Sequence, residues 1–71
     1  MTLTELRYII AVAQERHFGR AAEACFVSQP TLSLSIKKLE DELNTKIFER
    51  KSNQIALTIV GERLVKQAQL I

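Results

Sequence analysis

The sequence predicts a mainly α-helical domain carrying one short β-hairpin, and three observations carry that prediction. Apolar residues recur at three- and four-residue spacing in three segments, beginning near residues 3, 32 and 60. A hydroxyl residue able to cap a helix stands in front of each of these segments, at Thr2, Ser28 and Thr58. Between the last two segments, residues 46 to 58 (KIFERKSNQIALT) offer two β-prone pieces around a polar tip.

The first helix opens on Thr2-Leu3-Thr4-Glu5, a capping box in which hydroxyl and carboxylate satisfy each other's backbone amides. Leu3, Leu6, Ile10 and Ala13, widened by Ile9, form its core stripe as far as about Arg16. Tyr8 and Val12 fall on another flank, which predicts a second apolar contact. After a break at residues 17 to 19, RAAEAC continues a second helix over about 18 to 25. His17 stands at its start, and its paired alanines are small enough for another helix to approach closely. The lone His17 has no second ligand near it, so it predicts no metal site.

Phe26, Val27 and Ser28 make a three-residue turn, and Ser28 caps a third helix with Gln29 and Pro30 in its first turn. A proline costs little there, because its missing amide had no intrahelical partner. Leu32, Ile36, Leu39 and Leu43 make the core side, and Asn44 supplies the left-handed stop. The hairpin then pairs residues 47 to 49 with 55 to 57 around Arg50-Lys51-Ser52-Asn53-Gln54. Thr58 caps a last helix whose stripe is Val60, Leu64, Ala68 and Ile71. No C-cap follows, as expected of a helix cut from a longer one. Residues 1–58 are therefore read as one domain, and 59–71 as the start of a further helix.

Composition limits the function classes. At 71 residues the chain is one domain at most, and 46% hydrophobic with 25% charged residues fits a folded helical domain. There is no apolar run of the ~20 residues needed to span a bilayer and no basic leader, which predicts a cytoplasmic, membrane-free protein. The single Cys25 excludes an internal disulfide and is read as a small interior residue. Net charge is +2. Residues 1 to 50 carry seven positive and seven negative charges, so composition alone does not identify a nucleic-acid binder. Without a nucleophile–base pair, a metal cluster or a Gly-rich phosphate loop, an enzyme is not expected, nor is a cofactor or small-molecule ligand.

The third helix carries the functional signal. With Ile36 at zero on a wheel of about 100° per residue, the core residues lie within roughly 60° of it on one side. Pro30, Ser33, Leu34, Lys37 and Asp41 fall at roughly 60° to 160° on the other. Two helices joined by a short turn, then a hairpin, is the order of a winged helix-turn-helix with a three-helix core. Gln29 can bond an adenine edge, Ser33 either member of a pair, Lys37 guanine or phosphate, and Leu34 or Pro30 can pack on a thymine methyl. Thr31, Ser35 and Lys38 suit backbone contacts, as do Arg20 on the second helix and Arg50 and Lys51 on the wing. The rival reading, a helical protein-interaction module docking through the last helix and the Tyr8 and Val12 flank, separates from this one by salt. Phosphate binding weakens steeply as salt rises, whereas apolar docking barely responds.

The segments HFGRAAE (17 to 23), VSQPTLS (27 to 33), LEDEL (39 to 43), Phe48-Glu49-Arg50 and Leu57-Thr58 with Gly61 resemble the N-terminal DNA-binding domain of LysR-type transcriptional regulators. ERHFGRAAEAC together with VSQPTLS and KKLEDEL is most similar to the peroxide-responsive branch of that family. The resemblance covers the whole chain. It implies a bacterial regulator that binds double-stranded DNA. The residues matching Gln29, Pro30 and Ser33 would read bases, and the wing tip at Ser52 and Asn53 would enter the minor groove. The last helix would continue as a linker pairing antiparallel in a homodimer, through Tyr8, Val12, Val60, Leu64, Ala68 and Ile71, with a tetramer in the full-length protein. Asn53 stands where many members have a basic residue, which moves the wing contact toward Lys51. Asn44 replaces a common glycine, and Ile59 the usual proline. The peroxide-sensing cysteines of that branch lie in an effector domain, so Cys25 does not inherit their role.

Overall fold

The computed structural model describes residues 1–51 and 54–70. In chain order the elements are α1 (Leu3–Glu15), α2 (Phe18–Ala24), α3 (Gln29–Leu43), β1 (Phe48–Lys51), β2 (Gln54–Leu57) and α4 (Ile59–Gln69). Helix α1 packs against α2, α3 and α4, while β1 and β2 pair only with each other. The architecture is the expected one.

The capping box at the start of α1 forms. Thr2 Oγ1 accepts from the Glu5 amide at 3.1 Å, and the Thr2 amide donates to Glu5 Oε1 at 2.8 Å. The helix stops at Arg16, whose φ of 53° is left-handed and whose N–H returns to the Val12 carbonyl. Its inward face differs from the expected stripe. Ile9 and Val12 are fully buried and Ala11 nearly so, whereas Leu3 is 70% exposed. Leu3, Leu6, Tyr8, Ile9, Ile10, Val12 and Ala13 make an apolar sector so wide that periodicity cannot choose its centre. The neighbouring helices choose it, and Val12 belongs to the core rather than to an outer flank.

His17 caps α2, its Nδ1 accepting from the Arg20 amide at 3.0 Å. Ala21 and Ala22 are buried where α2 meets its neighbours, as their size permits. Cys25 is half-buried, its Sγ 4.0 Å from the Arg7 carbonyl oxygen. The turn into α3 passes through Phe26, left-handed at φ 59° and 91% exposed. Ser28 Oγ then accepts from the Thr31 amide, with Pro30 in the first turn. Leu32, Ile36 and Leu39 are buried as expected, but Leu43, the last helical residue, is 41% exposed. Asn44 closes the helix at φ 54°, ψ 40°.

The seam joining α3, the hairpin and α4 was not anticipated. Glu40 Oε2 accepts from the amides of Ile47 (2.7 Å) and Phe48 (3.3 Å), fixing where β1 begins. Thr58 Oγ1 accepts from the Gly61 amide at 3.0 Å and donates to the Lys46 carbonyl at 2.7 Å, so one hydroxyl caps α4 and ties it to the chain before β1. Gly61 is buried against that chain, and a methyl added there would run into the Ile47 carbonyl oxygen. The strands are longer than expected. Phe48 pairs with Leu57, Glu49 with Ala56, Arg50 with Ile55 and Lys51 with Gln54, so Arg50, Lys51 and Gln54 belong to the ladder rather than to a tip. Ser52, Asn53 and Ile71 lie outside the described residues. In α4 the inward residues are Gly61, Val65 and Ala68, with Leu64 half-buried and Val60 38% exposed. The inward face is thus turned by about one residue from the expected stripe. Among the described residues no helix is long and apolar enough to cross a membrane.

Candidate nucleic-acid interface

With Leu32, Ile36 and Leu39 turned inward, the other flank of α3 is left at the surface. Gln29, Pro30, Leu34 and Lys37 are exposed and Ser33 is half-buried. Leu34, 69% exposed, lies on this face among the polar residues rather than with the core. The expected base-reading residues therefore share one outward face. Gln29 leans toward α2, its Oε1 beside Gly19, where only a hydrogen occupies the space.

The expected backbone-contact residues divide into several settings. Lys38 is exposed and Ser35 half-buried. Thr31 Oγ1 accepts from Ser28 Oγ at 2.8 Å and so already serves the cap. Arg20 folds back on α1, donating through Nη2 to the Glu15 carbonyl at 3.2 Å, with Nε 3.7 Å from the Glu15 carboxylate. Lys51 Nζ lies 3.8 Å from Glu49. Both ion pairs are exposed, and pairs of that kind are worth under about 1 kcal/mol, so a phosphate can compete for either cation. Arg50 lies over an aromatic ring, its guanidinium carbon 4.5 Å from the centroid of Phe18. Phe18 in turn meets Phe48 edge-on, with centroids 6.4 Å apart and planes at 77°.

Two shallow clefts flank this Arg50–Phe18 stack. One, of about 310 Å³, lies between α3 and β1 and is lined by Ser33, Lys37, Glu40, Lys46 and Arg50. The other, of about 370 Å³, is lined by His17, Gly19, Gln29, Arg50 and Gln54. Arg50, on β1, thus borders both clefts beside the polar face of α3. Sequence reasoning gave no role of their own to Phe18, Lys46 or Glu40. Phe18 falls at the break before the second helix, where no apolar periodicity singles it out, and the partners of Lys46 and Glu40 depend on where the hairpin folds back.

The residues expected at a dimer contact differ in exposure within the protomer. Val12 is fully buried and Ala68 nearly so. Tyr8, Val60 and Leu64 retain accessible surface.

A helix pair with a tight turn, an outward polar face on its second helix and a hairpin beside that face define a winged helix-turn-helix domain. The model of the lysR family, described as bacterial regulatory helix-turn-helix proteins, matches residues 3–62, and the chain belongs to that family, which is one of regulators and not of enzymes. The chain is 49% identical over all its 71 residues to the DNA-binding transcriptional dual regulator OxyR of Escherichia coli K12, of which it covers 23%. Full-length OxyR of Pseudomonas aeruginosa, carrying a cysteine-to-aspartate substitution, superposes with a TM-score of 0.90 at 67% identity, over 99% of this chain and 24% of that one. The BenM DBD in complex with benA site 1 DNA gives a TM-score of 0.92 at 37% identity, over 99% of this chain and 79% of that one. The chain thus spans about a quarter of the length of the curated regulators it matches.

Proposed function

We propose that the chain is the sequence-specific, double-stranded DNA-binding domain of a LysR-type regulator, with α3 seated in the major groove. The observation that carries this reading is the outward flank of α3. Hydrogen-bonding side chains (Gln29, Ser33, Lys37) and an exposed Leu34 share one surface, opposite the buried Leu32, Ile36 and Leu39. Gln29 and Ser33 bond base edges, Leu34 and Pro30 pack on thymine methyls, and Lys37, Lys38, Arg20, Arg50 and Lys51 hold the phosphates. The BenM complex, which contains DNA and shares this fold, supports the docking mode.

The OxyR relatives support a finer reading: the domain directs a peroxide-responsive cytoplasmic regulator to its promoters. α4 continues into a linker that pairs two copies, using Tyr8, Val60 and Leu64. Two recognition helices then enter major grooves about one helical turn, or a multiple of it, apart.

Duplexes selected by the chain from a random pool provide the test. On those duplexes Gln29→Ala or Ser33→Ala relaxes the preference at one or two base pairs by ~1 to 3 kcal/mol and leaves affinity for scrambled DNA nearly unchanged. Equal losses on selected and scrambled duplexes would defeat the base-reading assignment.

A further inference from the structure

We propose that the cleft between α3 and β1 seats one phosphate of the DNA backbone, with Lys46 and Arg50 as its cationic partners and Phe18 as the residue that positions Arg50. The inference rests on the DNA-binding reading above. It adds a defined site and two residues to it.

Charge points to an anion. The cleft, of about 310 Å³, is lined by Lys37, Lys46 and Arg50 against one carboxylate, Glu40. That carboxylate is already engaged by two backbone amides, at 2.7 Å and 3.3 Å, so it serves the hairpin first. Ser33 stands on the α3 wall, where the cleft meets the base-reading flank. Elsewhere on the expected interface the cations are partly matched, Arg20 by Glu15 and Lys51 by Glu49. Lys37, Lys46 and Arg50 make no ion pair among the described residues.

Geometry assigns the role of Phe18. A guanidinium binds phosphate best when its planar fork is oriented in advance, because less side-chain freedom is then lost on binding. The Phe18 ring supplies that orientation from 4.5 Å below the guanidinium carbon. Phe18 is itself braced edge-on by the buried Phe48. The α2 helix thereby sets the direction of a side chain on β1.

Titration of DNA affinity against salt tests both parts, with thermal unfolding recorded for every variant. Lys46→Ala lowers the slope of log affinity against log salt by about 0.9, so its loss between about 50 and 200 mM salt is ~3.5-fold smaller than that of the unsubstituted chain. Lys46→Arg keeps the original slope. Phe18→Leu weakens binding by about two- to fivefold while Arg50 is present. In an Arg50→Ala background Phe18→Leu has no further effect, and Phe18→Tyr, which keeps the ring, binds normally. A merely structural Phe18 would instead weaken both backgrounds equally, and that result overturns the positioning role. An unchanged slope for Lys46→Ala overturns the phosphate seat while leaving the DNA reading intact. No salt-dependent binding by the unsubstituted chain would sink that reading itself, and this site with it.

Discussion

Around Ile47 the polar groups are spent inside the protein, whereas along the outer flank of α3 they are left unspent. At the seam, Glu40 accepts two amides, Thr58 caps α4 while holding the Lys46 carbonyl, and Gly61 lets α4 lie directly against the Ile47 backbone. On the flank, Gln29, Lys37 and the apolar Leu34 are all exposed. The difference separates two kinds of cost. Substitutions at the seam act first on folding, while those on the flank act on binding and barely touch folding.

Gly61→Ala should break the seam most severely. The added methyl meets backbone, the Ile47 carbonyl, and not a side chain that could swing away. Helix propensity favours alanine by only ~1 kcal/mol, so the clash decides the sign, and a net loss of about 3 kcal/mol is expected by denaturant unfolding. Stability equal to or above that of the original chain would mean that α4 can move away from β1, and the seam would lose its claim to fix the hairpin.

Glu40→Ala sharpens the contrast within a single acidic run. It leaves two partly buried amides without their acceptor, for a loss of about 2 kcal/mol, and Glu40→Gln, which keeps an oxygen, recovers part of that. Asp41→Ala, one residue along and exposed, changes stability by no more than about 0.5 kcal/mol. If the two alanine variants cost the same, the acidic run acts only through its summed charge, and the hydrogen bonds at the base of the hairpin contribute nothing particular.

What was legible in the sequence follows the same division. Caps are local: Thr2, Ser28 and Thr58 each accept an amide three residues on, Asn44 closes α3 in a left-handed conformation, and all four are legible in the sequence. The burial of Leu32, Ile36 and Leu39 was legible too, because α3 carries few other apolar residues and its stripe is narrow. In α1 and α4 the apolar sectors are broad, and the stripe was placed off-centre, leaving Leu3 outside and Val12 and Val65 inside. The seam was illegible because Glu40 meets residues seven and eight positions on, and Thr58 reaches back twelve. The Arg50–Phe18 stack spans more than thirty residues, and no periodicity encodes a contact between a short helix and a strand.

The smallest effect tests the other half of the comparison. Lys51 is a cation of the flank and wing, paired among the described residues with Glu49 at 3.8 Å, both side chains more than half exposed. Removing it with Lys51→Ala should change stability by less than about 0.5 kcal/mol, since a pair so open to solvent gains little. Binding should nevertheless weaken on every duplex alike, with the salt slope reduced by about 0.9, because a phosphate contact carries no sequence information. That pattern, set beside the base-specific losses expected at Gln29 and Ser33, would divide the outer surface into a part that reads and a part that holds. A loss confined to particular base pairs would instead place Lys51 among the reading residues, and a loss of stability would move it to the side of Glu40 and Gly61.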